Sequence, residues 1–271
     1  MSSFVNLTME LILSDTRPAV VRALRATVGH LQIPDARRVV IRIDDLPVSR
    51  WDDEGVCFVN GGNALGTMRG QLDRELSRLV PGAEADVEKV VQMYGETSRS
   101  GVKHLPLFSA LLSPSSPRSR WLLTAPCMYV SESRELRGTR NAFHATHTAL
   151  SLIQEANRAG ARIRRVVMTG ICTGKGRMNR DDAASQMADA FRAVFIDDNM
   201  VVDPKQAQHP RLMLNPQYTV QPTLKAHDPF QPHTAYVTAN GTRELVPPPP
   251  IPVRTFRSGG SEEPSHFINS K

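Results

Sequence analysis

Residues 163–179 read IRRVVMTGICTGKGRMN, an apolar strand that runs into a glycine-rich turn. Three glycines fall in the seven residues that follow the strand, and the pattern predicts an amphipathic helix just past Asn179. Glycines at such a turn let the backbone approach a ligand closely, and their N–H groups suit an anion such as a phosphate. A simple connection between a strand and a helix explains the same glycines, so this stretch alone leaves both interpretations open.

A second strand-to-loop junction favours the first interpretation. Residues 56–63 read VCFVNGGN, which is a short buried strand followed by a polar, glycine-containing loop. Two such loops in one pattern of alternating strands and helices predict a nucleotide-like ligand at the carboxyl edge of a largely parallel sheet.

The remaining elements follow from hydrophobic periodicity. Strands are predicted at 9–13, 39–43, 104–112 and 121–126, and helices at 72–79, 83–94, 140–159 and 180–195. A further helix has Pro18 in its first turn, and Asp15 or Thr16 is predicted to cap it. Strands that alternate with helices predict a sheet covered on both faces.

Composition narrows the class of protein. The chain has 271 residues, of which 40% are apolar and 22% charged, and a net charge of +6. No apolar run is long enough to span a membrane, and the opening residues lack a secretory pattern, so we expect a cytoplasmic or nuclear protein. The three cysteines form no CxxC pair and predict reduced thiols rather than a zinc site. Scattered arginines without a dense basic block argue against a nucleic-acid partner.

The composition changes after about residue 197. We predict a folded domain over 1–198, an extended segment over 199–244 that packs on the domain or adds an edge strand, and a disordered proline-rich tail over 245–271. The run VPPPPIP (246–252) favours a polyproline II helix. It would serve either as a spacer or as a ligand for an SH3, WW or profilin-type partner.

Four segments, in order over about residues 9–195, resemble macro domains. They are VNGGNALG (59–66) followed by Met68, Gly70 and Asp73; LILSD (11–15) with Pro18; LLTAPCM (122–128); and GICTGKGR (170–177). The resemblance implies a three-layer α/β/α fold with a mixed, mostly parallel six-stranded sheet. It also implies ADP-ribose or an ADP-ribosylated protein as the partner, with no cofactor and no metal.

The resemblance assigns roles to particular residues. An acidic residue after an early strand would receive the adenine amino group, and this falls on Asp44 or Asp45. Asn63 matches the asparagine that hydrogen-bonds the distal ribose, and Asn60 is expected to brace the loop. The other implied ligand-binding residues would flank the diphosphate with backbone N–H groups: Gly70, Gly170, Ile171, Cys172, Thr173, Gly174, Lys175 and Gly176.

Two readings of the function remain open at this point. As an enzyme, the chain would be an ADP-ribosyl hydrolase or an ADP-ribose-1''-phosphate phosphatase, with Asn63 and Asp73 as the catalytic candidates. Gln71 stands where active macro domains commonly have a glycine, which favours binding without turnover. The alternative is a non-catalytic interaction or structural protein that keeps the macro-like scaffold and works through its proline-rich tail.

Overall fold

A computed structural model describes residues 8–98, 100–114, 120–129 and 136–197, together with the backbone of residues 212–214. The strands are β1 Met9–Ser14, β2 Val39–Asp44, β3 Val56–Asn60, β4 Glu96–Thr97, β5 Lys103–His104, β6 Ala110–Pro114, β7 Arg120–Thr124, β8 Arg165–Met168 and β9 Leu212–Leu214. The α-helices are α1 Pro18–Thr27, α2 Gln71–Leu79, α3 Ala83–Tyr94, α4 Asn141–Arg158 and α5 Arg180–Phe195. Short 3₁₀ helices cover Asp35–Arg37 and Val48–Trp51.

The main sheet has the strand order β2-β1-β8-β3-β7-β6-β9. The first five strands run parallel, β6 is antiparallel to β7, and β9 is parallel to β6. The predicted mixed, mostly parallel sheet of six strands is confirmed, and the three-residue β9 extends it at one edge. Strands β4 and β5 form a separate antiparallel pair.

Helices cover both faces of the sheet, which confirms the predicted three-layer α/β/α arrangement. One core cluster joins α1, α4 and α5 to the sheet and includes Leu24, Ile153 and Phe191. Smaller clusters on the other face join α2 and α3 to the sheet through residues such as Leu76 and Val87. Every residue of β3 is buried, as expected for a central parallel strand packed on both sides.

The predicted strand over residues 104–112 is wrong. The chain instead leaves β5 at His104 and enters β6 at Ala110, and Phe108 between them has a φ of 63°. A positive φ is rare for a residue with a side chain and turns the backbone out of the extended conformation. A tight turn at Pro106–Ser109 therefore separates two strands that the apolar pattern merges, since the Ser109 N–H donates to the Pro106 carbonyl at 3.2 Å.

The starts of helices α5 and α1 differ in how they are capped. Helix α5 begins after Asn179, as predicted, and the Asn179 side chain accepts a hydrogen bond from the Asp181 N–H at 2.8 Å. Helix α1 begins after Arg17, so neither Asp15 nor Thr16 is its N-cap. The Asp15 carboxylate instead accepts the Arg17 N–H at 3.0 Å, in a turn that precedes the helix.

The predicted boundaries at 198 and 244 stay predictions. The segment 199–244, apart from β9, and the proline-rich tail 245–271 lie outside the described residues. Strand β9 is consistent with an edge strand in that segment. Over the described part of the chain, no helix combines the length and hydropathy needed to cross a membrane.

Candidate functional site

The two predicted ligand loops meet at the carboxyl ends of the central strands of the sheet. Strand β8 lies between β1 and β3 and runs parallel to both. The loops that follow these three strands therefore emerge side by side at their carboxyl ends. We call residues 60–70, after β3, the asparagine loop, and residues 170–176, after β8, the glycine loop.

The glycine loop is held close to the sheet by its first residues. A Cβ atom on Gly170 would lie 2.5 Å from Val20 Cγ1, so only glycine lets α1 pack directly against this point. The loop then folds into two turns, in which the Thr173 N–H donates to the Gly170 carbonyl at 3.3 Å and the Arg177 N–H to the Gly174 carbonyl at 3.0 Å. Gly174 is exposed, and a Cβ atom there would have no atom within 4 Å. The tip of the loop therefore faces open space.

The two loops touch each other. A Cβ atom on Gly61 would lie 2.9 Å from Ile171 Cδ1, so a larger residue at this position would displace the Ile171 side chain. Beneath the contact, the Cys127 thiol donates to the Gly61 carbonyl at 3.0 Å. The neighbouring Cys172 is also buried. Its hydrogen bond with Cys127 raises the pKa of the Cys172 thiol, and burial raises that pKa further. The Cys172 side chain is thus a neutral packing group, and its backbone is the part that a ligand would meet.

Several backbone donors near this contact are not used by the described residues. Among the hydrogen bonds between described residues, none has the N–H of Gly61, Gly62, Ile171, Cys172 or Gly174 as its donor. Buried or half-buried N–H groups are rarely left without an acceptor. Their clustering on two touching loops at a sheet edge is typical of an anion-binding concavity.

Asn63 is turned into its own loop. Its side-chain oxygen accepts from the Leu65 N–H at 3.1 Å and from the Thr67 N–H at 3.4 Å. Its side-chain nitrogen donates to the Thr67 carbonyl at 2.8 Å. Because both ends of the buried amide are engaged, Asn63 braces the asparagine loop. Its predicted contact with a ribose stays a prediction, for which the second N–H of the amide is the available donor.

Asn60 and Asp73 form a second brace. The Asn60 amide nitrogen donates to one Asp73 oxygen at 2.9 Å, and the other oxygen accepts from the Gly70 N–H at 2.7 Å. The Asp73 carboxylate thus links the start of α2 to the end of β3. Gln71 is exposed at the first position of α2.

Asp44 and Asp45 lie at the end of the edge strand, and their predicted contact with adenine stays a prediction. Asp44 is the last residue of β2 and Asp45 follows it, and β1 lies between β2 and β8. The Asp44 carboxylate pairs with Arg42 at 3.2 Å, and Asp45 is exposed. The structure does not bring either side chain into contact with the two loops.

Asp15 is the acidic residue that touches the glycine loop, a contact that was not predicted from the sequence. The buried carboxylate accepts the Gly170 N–H at 3.2 Å and pairs with Arg17 at 2.6 Å. The guanidinium of Arg17 also reaches Thr173. The position of Asp15 directly after β1 can be read from the sequence. It brings Asp15 to the glycine loop only because β1 lies next to β8 in the sheet.

Two other observations complete the description of candidate sites. A groove of about 680 Å³ lies beside the edge strand β2, lined by residues of 28–35 and 39–43, and it includes none of the predicted site residues. Over the described ranges, no three His, Cys, Asp or Glu side chains are grouped in a way that could hold a metal ion.

Comparisons with known proteins complete the site description. No protein-family model and no curated protein matches the chain. Among solved structures, the chain is similar to one described as the macrodomain of Mycobacterium tuberculosis DarG. The two are 16% identical, the match covers 53% of this chain and 84% of that chain, and the TM-score is 0.41.

Proposed function

We propose that the chain binds ADP-ribose, or a group derived from it, with the diphosphate seated on the asparagine and glycine loops. The observation that carries this proposal is the set of N–H groups without a described acceptor at Gly61, Gly62, Ile171, Cys172 and Gly174. A diphosphate presents many acceptor oxygens and negative charge, and converging backbone donors can satisfy both without a basic side chain.

The choice of ADP-ribose among diphosphates comes from the sequence resemblance. Two of the four segments that resemble macro domains form the two loops, and the open space above Gly174 gives a ligand room to approach. For the acidic contact to adenine, Asp44 and Asp45 remain candidates.

Binding without turnover is the form of this function that the side chains favour. Hydrolysis at the distal ribose needs groups that orient a water molecule and stabilise the developing charge. Asn63 is engaged with Thr67, and both oxygens of Asp73 are engaged with Asn60 and Gly70. The residues predicted as catalytic therefore support the loops, and we propose that the chain recognises ADP-ribose, free or attached to a protein.

Isothermal titration with ADP-ribose tests the binding, with AMP and ADP as comparison ligands. We expect ADP-ribose to bind and ADP to compete more weakly, because ADP lacks the distal ribose. The same preparation, incubated with ADP-ribose-1''-phosphate and with an ADP-ribosylated peptide, should release neither phosphate nor ADP-ribose above a protein-free control. Absence of heat and of competition at millimolar ligand would contradict the proposal and favour the scaffold that works through its tail.

A further inference from the structure

Arg17 connects the end of β1 to the glycine loop through a closed ring of hydrogen bonds. Its Nε and Nη2 atoms donate to the two Asp15 oxygens at 2.8 and 2.6 Å. Its Nη1 donates to the Thr173 carbonyl at 3.0 Å, and Nη2 donates to Thr173 Oγ1 at 2.7 Å. The ring closes because Thr173 Oγ1 donates to the Gly170 carbonyl at 2.6 Å and the Gly170 N–H donates to Asp15 at 3.2 Å.

This ring fixes the direction of two peptide groups. In a trans peptide, the carbonyl of one residue and the N–H of the next point in opposite directions. Because the Thr173 carbonyl faces Arg17, the Gly174 N–H faces away from it. Because the Gly170 carbonyl faces the Thr173 side chain, the Ile171 N–H faces away from Thr173. Both N–H groups belong to the set that has no described acceptor.

The guanidinium itself has little capacity left for a ligand. Arginine has five N–H donors. Four are used here: one from Nε to Asp15, two from Nη2 to Asp15 and Thr173, and one from Nη1 to Thr173. Its charge is balanced by the adjacent Asp15 carboxylate, which is buried. The geometry suits a group that holds the loop better than one that binds an anion directly.

We propose that Arg17 is the positioning residue of this site. It holds the glycine loop so that the Ile171 and Gly174 N–H groups are directed at the diphosphate before the ligand arrives. The proposal rests on the proposed function for the identity of the ligand, whereas the order that Arg17 imposes on the loop is a property of the free protein. Preorganised donors bind more tightly because the ligand does not have to order them.

The test compares Arg17→Lys, Arg17→Gln and Thr173→Val with the parent protein. Arg17→Lys keeps the charge but loses the planar fork that spans Asp15 and Thr173. Thr173→Val removes the hydroxyl and leaves the Arg17–Asp15 pair intact, so it decides the question if either Arg17 variant fails to fold. Arg22→Gln, at an exposed arginine of α1, controls for the loss of a positive charge. Affinity for ADP-ribose is measured by titration, and order in the free loop by ¹⁵N relaxation.

In the ligand-free parent we expect order parameters near about 0.85 for residues 170–176, and values below about 0.6 in all three variants. Affinity for ADP-ribose should fall about tenfold in each variant, with Arg17→Lys as weak as Arg17→Gln. Retained affinity in Arg17→Lys together with a loss in Arg17→Gln would assign Arg17 a direct charge contact and overturn the proposal. Order parameters of residues 170–176 that stay unchanged in the three variants would also overturn the proposal. If the parent binds no ADP-ribose, the proposed function fails, and the relaxation data alone decide the role of Arg17.

Discussion

The side chain of Asn60 donates to the carboxylate of Asp73 at 2.9 Å, which joins the last residue of β3 to the first turn of α2. The second Asp73 oxygen accepts the Gly70 N–H, the donor that precedes the helix. Asn60 is buried and Asp73 is half-buried. The start of α2, and with it the far end of the asparagine loop, is therefore positioned by this pair.

Exchanging the two side chains tests this pairing. Asn60→Asp alone places two carboxylates against each other, and we expect the free energy of unfolding to fall by about 2 kcal/mol or more. Asp73→Asn alone leaves one acceptor oxygen for two donors, the Asn60 amide nitrogen and the Gly70 N–H, with a loss of about 1 kcal/mol. In the double variant, an aspartate at 60 accepts from an asparagine at 73, whose oxygen still accepts from Gly70, so most of the stability should return.

Urea denaturation of the parent, the two single variants and the double variant measures this coupling. The slopes should agree, so that midpoints report stability. A double variant whose loss equals the sum of the two single losses would show that the side chains act independently.

Gly66 is predicted to be irreplaceable for packing as well as for backbone conformation. Its φ is +71°, and a Cβ atom would lie 2.6 Å from Val87 Cγ1 in α3. Gly66→Ala should therefore cost about 2–4 kcal/mol, the sum of left-handed backbone strain and overpacking. Gly101→Ala is the matched control, because its φ is +79° but its Cβ atom would have nothing within 4 Å. It should cost about 1–2 kcal/mol. If thermal or urea unfolding shows equal losses of stability for Gly66→Ala and Gly101→Ala, then α3 shifts to accommodate the added methyl group.

Gly174→Glu tests the glycine loop as the seat of the diphosphate. The substitution adds bulk and negative charge at the loop tip, so affinity for ADP-ribose should fall at least tenfold, or about 1.4 kcal/mol. The melting temperature should stay close to that of the parent, because the position is open and its φ lies outside the left-handed region. Gly174→Ala controls for added bulk, and Ser185→Glu, at an exposed position of α5, controls for added charge. Parental affinity in Gly174→Glu would remove this loop from the site.

His144 and His147 predict a dependence of stability on pH. Burial lowers the pKa of both side chains, and Arg140 and His147 lower the pKa of His144 further. The unfolded chain therefore binds protons more readily than the folded chain once the pH falls below about 6.5. The stabilising contribution of these two histidines is present at neutral pH and is lost as the pH falls through that value toward their folded pKa values.

Urea midpoints at about pH 7.5 and pH 5.5 measure this effect. The double variant His144→Gln/His147→Gln should show a smaller drop between the two pH values than the parent. The exposed His30, changed to glutamine, should leave the drop unchanged. A double variant that loses as much stability as the parent on acidification would place the effect on other groups, such as the carboxylates.

The element order and the two loops could be predicted from the sequence because their signals are local. Strand β3 is buried, and it is apolar up to Asn60. Asn179 caps α5, which begins at the next residue. Local apolar pattern did not reveal the turn at Phe108, since its positive φ depends on backbone contacts with neighbouring loops. The Phe108 N–H, for example, donates to the Pro126 carbonyl at 3.3 Å.

The sequence by itself determined the alternation of strands and helices, the glycines at the loop tips and the resemblance to macro domains. Only the tertiary structure decided which acidic residue reaches the glycine loop and which asparagine faces its own backbone. Asp15 and Gly170 are separated by 155 residues, and Arg17 and Thr173 by 156. Periodicity describes how one segment is buried, whereas strand order is set by packing of the whole sheet. The contacts at the carboxyl edge therefore exist only once β1, β8 and β3 lie side by side.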